Sequence, residues 1–354
     1  MKKTIWLPFL LLFWVSFPLY AVKVPGLYQA QVPVPDQQSD SREQGVASAM
    51  REVLIKLTGD RFAPERTSLQ PVINKADDYI QQYHYVQVPA GGNGGGAENG
   101  GQELQLHVQF DEETLNKTLR KLGIPVWGRE RPSTLVWLAV QDQNGRHLAG
   151  MEEAPDFVRE LDRRAAQRGV VLIFPLMDLT DTSSLKVSDI WGDFSKPVLA
   201  ASSRYQADTV LTGKISEPAP GIWEAQWTVY MKNGESSTWT ADGEMADNVL
   251  DEGVDGLADR LASHFVEASG GVETAHVILR VQNVNSADQY ARVLQYLQSL
   301  SPVSDIQVSS VRPGEVRFSV TAHGGEAALQ QTITLGHIMA AVKGGGSEDY
   351  RLLP

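Results

Sequence analysis

The apolar segment that opens this chain constrains its folding most, because it decides in which compartment the chain folds. The segment begins with Met1-Lys2-Lys3, is almost wholly apolar from Ile5 to Phe17, and closes with Leu19-Tyr20-Ala21. A basic start, a short apolar run and a small final residue are typical of a cleavable secretory signal. We therefore predict that residues 1–21 are a Sec-type signal peptide and that the mature chain is periplasmic.

The alternative is that this segment stays in place as an inner-membrane anchor. Leu19 is larger than the small residue usual at that position of a cleavage site. A membrane-crossing helix, however, needs about 20 apolar residues, and this run is shorter and is interrupted by Pro8 and Pro18. Polar residues break every later apolar run. We therefore expect no integral membrane span once the signal has been removed.

The chain contains no cysteine, so disulfides, thiolate nucleophiles and attachment of lipid to an N-terminal cysteine are all excluded. Such an exported chain must be held together by its core, and 354 residues suffice for two or three domains. The formal net charge is −12, and it becomes more negative when Lys2 and Lys3 leave with the signal. This excess of acid argues against nucleic acid or an anionic membrane surface as the main partner.

The first predicted unit covers residues 22–123 and has the order β-α-α-β-β-α. A helical stripe of apolar residues ends at Gly59, and two alternating stretches, Tyr83–Val88 and Leu104–Phe110, predict a pair of strands. The glycine-rich stretch at 90–101 lies between these strands. A phosphate-binding loop would need a helix after it. A strand follows instead, so we interpret the stretch as a flexible hairpin connection.

Prolines and glycines divide the rest of the chain. Residues 124–132 read as a linker, marked by Pro125, Gly128 and Pro132. A central α/β unit then covers residues 133–269. Gly270-Gly271 opens the last unit, residues 270–354.

The patterns within these units predict their architecture. In the central unit a continuous apolar run from Val170 to Leu176 is typical of a buried parallel strand. The last unit follows a β-α-β-β-α pattern, and a final strand near Tyr350 completes a ferredoxin-like unit. The predicted fold class is therefore α/β (α+β), with three small mixed modules.

Motifs of catalysis or metal binding are missing from the sequence. None of the seven histidines forms a local pair at metal-ligand spacing. Neither a nucleophile elbow nor a Ser-x-x-Lys motif in a plausible context occurs. We predict no catalytic, cofactor-binding or metal-binding residues and no cofactor.

Two places remain as candidates for binding. Asp178 and Asp181 follow the apolar run, and ligand sites in α/β sheets form where strands end; these carboxylates bind a ligand, or else they cap short helices. Trp127 lies between a proline and the two arginines Arg129 and Arg131. Packing explains it least among the aromatic residues, so it covers either an interface between units or a partner.

A third feature is a row of arginines on one predicted helix. Arg159 and Arg163, like Arg164 and Arg168, are four residues apart and share a helix face. They could meet an anionic glycan or a lipid head group. A solvated face paired with neighbouring glutamates such as Glu160 is the favoured interpretation.

Several sequence motifs along the chain resemble those of one protein family. They are Val24-Pro25-Gly26-Leu27-Tyr28, a helix with Lys56-Leu57-Thr58-Gly59, Arg168-Gly169 followed by Phe174-Pro175-Leu176, and Trp223-x-x-x-Trp227. Together they resemble the exported bacterial family called domain of unknown function 2066. That resemblance implies no established activity and no functional residues. The central unit is also similar in architecture to small α/β domains of periplasmic assembly proteins, such as penicillin-binding-protein activators, which is an analogy of fold alone.

The leading hypothesis is a non-catalytic periplasmic binding or scaffold protein of a Gram-negative cell envelope that engages an envelope protein. The alternative is an enzyme or ligand-binding protein that acts on a cell-wall or glycan substrate through Asp178 and Asp181, because glycoside hydrolysis can run on two carboxyl groups. The sequence leaves the partner and the oligomeric state open.

We expect mass spectrometry of the protein purified from envelopes to give a mature chain that starts at Val22. The expectation follows from the small residue Ala21 at the end of the apolar segment. A chain that retains Met1 would show instead that the segment anchors the protein.

Overall fold

The computed structural model describes residues 24–89, 102–143, 145–269, 274–336, 338–342 and 344–354. The predicted signal at 1–21, the whole predicted glycine-rich connection at 90–101 and the predicted boundary at Gly270-Gly271 lie outside the described residues. Within these ranges the strands form three separate sheets, each with helices against it. The predicted mixture of α and β modules is confirmed, whereas the exact boundaries between the units stay a prediction.

The N-terminal sheet is antiparallel and has the order β1-β3-β2. Its strands are β1 (Gln29–Pro33), β2 (Ile80–Pro89) and β3 (Gln102–Phe110). The helices around it are α1 (Ser39–Thr58), the short α2 (Gln70–Asn74) and α3 (Glu112–Lys121). The predicted stripe on α1, including Met50 and Leu54, is fully buried against the sheet, and α1 ends at Gly59 with a φ of 71°, a conformation that glycine adopts without strain.

The central sheet has the order β5-β4-β7-β8-β9, and β6 pairs with the first residues of β4. Its strands are β4 (Ser133–Asp142), β5 (Gly145–Ala149), β6 (Val171–Ile173), β7 (Thr209–Ala219), β8 (Ile222–Met231) and β9 (Ser236–Gly243). Its helices are α4 (Pro155–Arg168), α5 (Leu179–Ser184), α6 (Val187–Trp191), α7 (Ser195–Ser202) and α8 (Ala246–Ser269).

Helices cover both faces of the central sheet. Even-numbered residues of β4, such as Val136 and Leu138, pack in one cluster with α4 and α8. Odd-numbered residues, such as Leu135 and Trp137, pack in another with α6, α7 and Leu185, the residue that follows α5. A strand with two buried faces reads as a continuous apolar run, and β4 is this strand.

The prediction that Val170 to Leu176 forms a buried central strand is wrong. Only Val171–Ile173 forms a strand, β6, and these residues are half-buried. β5 occupies the same edge of β4 further along, so β6 has room to pair with Ser133–Leu135 alone. The chain then leaves the sheet, and Leu176 is exposed.

The C-terminal sheet has the order β11-β12-β10-β14-β13. Its elements are β10 (Thr274–Val284), α9 (Ala287–Ser299), β11 (Val303–Arg312), β12 (Gly314–His323), α10 (Gly325–Leu335), β13 (Met339–Ala341) and β14 (Asp349–Leu352). The predicted last strand is present as β14. It runs parallel to β10, because the additional strand β13 turns the chain round before it.

A buried arginine joins the N-terminal and central sheets. Arg131 is 3% exposed, and its guanidinium donates hydrogen bonds to the carbonyl of Lys56 in α1 at 2.5 Å and to that of Gly169 beyond α4 at 2.8 Å. Further bonds of 2.9 Å go to the carbonyls of Trp127 and Gly128. The planar fork of five N–H donors thus ties three separate segments together.

A second arginine strengthens the same junction. Arg168 is 2% exposed and lies 2.7 Å from both Asp255 and Asp259 of α8, and it also donates to the carbonyl of Gly59 at 2.9 Å. Arg61, beyond α1, reaches Asp259 at 2.6 Å from the other side. We call Arg61, Arg131, Arg168 and their partners the arginine clamp.

The interpretation of the arginine row as a solvated face holds for Arg159, which is 69% exposed beside Asp156, and is wrong for the other three arginines. Arg163 does pair with Glu160, as expected, but also with Asp251 of α8. Arg164 binds Asp255 with both Nε and Nη2. The α8 partners of these three arginines lie about ninety residues further along the chain, and periodicity within one helix contains no information about them.

We expect Arg131→Lys to lower the free energy of unfolding by about 3 kcal/mol, although it conserves the charge. One ammonium cannot reach carbonyls in three segments, and each buried acceptor left unpaired costs about 1–3 kcal/mol. Chemical denaturation of the purified protein measures the effect. Arg146→Lys is the control, since Arg146 is exposed; equal stability of both variants would contradict the role of the clamp.

Candidate functional site

The predicted carboxylates lie together at the start of α5. Asp178 caps this helix by accepting from the backbone N–H of Asp181 at 3.0 Å, and the carboxylate of Asp181 is 1% exposed. Arg204 binds both, at 2.8 Å from Asp178 and 2.9 Å from Asp181. The hydroxyl of Tyr205 donates to Asp181 as well. The two carboxylates therefore bind the protein's own groups.

The arginine also sets the charge of the exposed carboxylate. The hydrogen bonds from Arg204 lower the pKa of Asp178 from 3.8 to about 2, and the bond from the N–H of Asp181 adds to this. A general acid needs a pKa raised toward the working pH. The shift of Asp178 has the opposite direction.

The remaining predicted residues lie at the junction of the sheets. Trp127 is 4% exposed, and its ring lies 4.1 Å from the guanidinium of Arg131 and directly against Gly59, where an added Cβ would approach the ring to 2.9 Å. Trp127 thus lies between the end of α1 and the guanidinium of Arg131, and its role as the cover of an interface or of a partner stays a prediction. Arg131 is buried in the clamp, whereas Trp127 and Arg129 line a cleft.

This cleft has a volume of about 500 Å³ and lies between the N-terminal and C-terminal sheets. One wall consists of Tyr28 and α3, and the floor consists of linker residues 123–130. The opposite wall contains the end of α9, the turn that follows it and part of α10; its residues include Gln298, Ser301, Pro302, Val303, His323 and Gln331. The cleft offers both apolar surface and hydrogen-bonding groups to a ligand.

Tyr28, Glu112 and Arg129, which we call the polar triad, form the near wall of the cleft. Arg129 binds Glu112 through both Nε and Nη2, and its guanidinium lies 5.6 Å from the centre of the Tyr28 ring. Asn116 donates to the Tyr28 hydroxyl at 2.8 Å. Burial, followed by the charge of Glu112, raises the pKa of Tyr28 to about 12, so the phenol stays protonated at neutral pH.

A second cleft of about 540 Å³ begins on the far side of this triad. It shares Tyr28, Glu112 and Arg129 with the first and continues past Gln29, Gln81 and Gln109 of the N-terminal sheet. The triad therefore lies between two adjoining clefts.

Sequence reasoning missed one pair of side chains. His84 of β2 and His107 of β3 are direct partners across the sheet, with ring centres 4.9 Å apart. Burial and the neighbouring His84 lower the pKa of His107. The sequence could have indicated this pair, because His84 and His107 lie opposite each other when the two strands of the predicted hairpin are aligned. Among the residues that the structure describes, no group of three or more His, Cys, Asp or Glu side chains could hold a metal ion.

A comparison with protein families gives one match. The model of a family described as a domain of unknown function, DUF8605, matches residues 21–128. This stretch contains the N-terminal sheet and most of the predicted linker. No curated protein sequence matches the chain.

Among solved structures, the chain is similar to the LpoB C-terminal domain from Salmonella enterica. The two are 17% identical, with a TM-score of 0.23, over 32% of this chain and 80% of that chain. A TM-score of this size carries no argument about fold or partners. No helix among the described residues is long and apolar enough to cross a membrane.

The family match shows that the resemblance to domain of unknown function 2066 was wrong, since the matching family is a different one. The motifs behind that resemblance have structural roles that many α/β proteins share. Gly59 and Gly169 end helices with positive φ, and Trp227 is fully buried in the core of the central sheet.

We expect an NMR titration to give a pKa of about 2 for Asp178 and a higher pKa after Arg204→Gln, still below 3.8 because the hydrogen bond from the N–H of Asp181 remains. Because this pKa lies lower in the folded than in the unfolded chain, the stabilisation is present above pH about 3.8 and is lost as the pH falls toward 2. Asp111, which caps α3, is the control and should titrate identically in both proteins. An unchanged Asp178 would contradict the ion pair.

Proposed function

We propose that the chain is an exported, non-catalytic binding or scaffold protein of a Gram-negative cell envelope, and that it engages a protein partner at the cleft between its sheets. The observation that carries the proposal is the pair of adjoining clefts around Tyr28, Glu112 and Arg129. The secretory pattern of residues 1–21 supports the envelope as its location.

The size and lining of the site favour a segment of protein as the ligand. Each cleft alone, at about 500 and 540 Å³, has the volume of a pocket for a small molecule, roughly 300–1,000 Å³. The two adjoin at the triad, so an extended segment can contact both. Exposed Arg120 and Gln298 face the first cleft from opposite walls. An extended peptide would find apolar surface from Pro125 and Val126 and hydrogen bonds from both walls.

The clamp supports the proposal because it fixes one side of the site in advance. Arg131 holds the linker through the carbonyls of Trp127 and Gly128, and Gly128 lies so close to Ser301 that an added Cβ would approach its hydroxyl to 1.8 Å. A preformed site loses less entropy on binding than one that must be ordered first.

The alternative hypothesis of a glycan-cleaving enzyme has less support from the geometry. It needs one carboxyl group that is protonated at neutral pH, whereas Arg204 binds both Asp178 and Asp181. We therefore expect Asp178→Asn to leave partner binding at the cleft unchanged.

Photocrosslinking in the cell tests the cleft. We expect benzoylphenylalanine in place of Arg120 or Gln298 to crosslink to the same envelope protein. Lys117 gives the matched control, since it is an exposed residue of the same helix as Arg120 and does not line the cleft. Absence of a common partner, or equal crosslinking from position 117, would refute the proposed site.

A further inference from the structure

We infer that the loop of residues 174–179 is a second protein-docking surface, separate from the cleft, whose leucines insert into an apolar pocket with a basic border on a partner protein. We call this segment the Leu176 loop. Leu176 is 72% and Leu179 84% exposed. These two side chains follow β6 directly and stand at the beginning of α5.

Exposed leucines by themselves are common on protein surfaces; here the backbone that presents them is held in a strained conformation. Met177, between them, has a φ of 54°, which a residue with a side chain rarely adopts. The N–H of Leu176 donates to the Tyr205 hydroxyl at 2.9 Å, and that of Met177 donates to Asp181 at 3.0 Å. Strain of this kind persists where the surroundings enforce it, and it is frequent at binding sites.

The carboxylate of Asp181 is the centre of this support. It is almost fully buried, and it accepts from Met177, Tyr205 and Arg204. Asp178, between the two leucines in the chain, is bound by the same arginine. Asp178 and Asp181, which the sequence predicts as candidates for ligand binding, thus fix the loop that presents Leu176 and Leu179.

Rigid presentation of apolar side chains is what a binding hot spot requires. An anchor that is already ordered loses little conformational entropy when a partner covers it, so most of its apolar contact contributes to affinity. In the protein alone, the hydrogen bonds to Tyr205 and Asp181 hold the loop so that Leu176 and Leu179 lie outside the core. Exposed in this way, the two leucines contribute little packing to the fold.

The charges beside the loop indicate the chemistry of the partner. The turn of Gly150 to Glu153 packs against Met177, since an added Cβ at Gly150 would lie 2.5 Å from its side chain. This turn presents Met151, which is 55% exposed, and the exposed Glu152 and Glu153. Arg204, the cation at the loop, is paired with Asp178 and Asp181, so the two glutamates give the apolar surface an acidic border.

An acidic border decides between a protein and a membrane as the occupant. Loops and helices that insert into anionic bilayers have Lys and Arg beside their apolar residues. Glutamates in that position are repelled by such a surface. They complement a protein pocket that is bordered by Lys or Arg.

Photocrosslinking from the loop tests the inference in the full-length mature protein. We expect benzoylphenylalanine at position 176 or 179 to crosslink to one envelope protein, at a peptide that combines apolar with basic residues. Position 311 is the control, because Val311 is an exposed apolar residue, at 66%, in another sheet. Equal crosslinking from 311, adducts with lipid, crosslinks to a second copy of this chain, or none at all would overturn the inference.

Binding of the purified partner gives the second measurement. We expect Leu176→Asp and Leu179→Asp each to raise its Kd at least tenfold and Val311→Asp to leave it unchanged. Tyr205→Phe keeps both leucines but removes a support of the loop, and it should raise the Kd several-fold with little change in circular dichroism. Wild-type affinity of the Leu176→Asp, Leu179→Asp double variant would overturn the inference, as would flotation of the wild-type protein with vesicles of phosphatidylethanolamine and phosphatidylglycerol.

The inference shares with the proposed function only the premise that partners are proteins. Loop variants leave Arg120 and Gln298 in place, and cleft variants leave the leucines in place. Loss of crosslinks at the cleft with retention at the loop would refute the proposed site alone, and the reverse result would refute the loop alone.

Discussion

The fold depends most on a single buried guanidinium that binds backbone carbonyls instead of a carboxylate. Arg131 holds the end of α1, the linker and the residue after α4 in one place. Backbone acceptors cannot move or change their charge as side chains can, so the arrangement fixes the relative position of these segments. Burial lowers the pKa of Arg131, yet guanidinium remains protonated at neutral pH. This junction therefore also fixes the linker residues that form the floor of the cleft.

Much of the fold was predictable because its signals are local. Strand alternation, the apolar stripe on α1 and the cap at Gly59 each involve residues close together in the sequence. The elements that they predict appear at these positions. The junction was not predictable in the same way. Arg168 pairs with Asp255 and Asp259 of α8, and a sequence without an alignment offers no sign that these positions meet.

The candidate site shows the same limit. Asp178, Asp181, Trp127 and Arg129 were predicted as ligand or interaction residues, which stays a prediction, and the groups that surround them come from elsewhere in the chain. Arg204 supplies the partner of the two aspartates, and the C-terminal sheet supplies the far wall above Arg129. The run from Val170 to Leu176 misled because its composition matches a buried strand, whereas the available edge of β4 limits β6 to three residues.

The clamp also sets an order of events for a chain that emerges with its N-terminus first. Each sheet closes within its own stretch of sequence, so the N-terminal sheet can form early. The carbonyls of Lys56 and Gly59 must nevertheless wait for Arg131 and Arg168, and Arg61 must wait for α8. Until roughly three quarters of the chain has emerged, the end of α1 is exposed to solvent and lacks these hydrogen bonds. During this interval a chaperone can bind it, or a protease can cleave it.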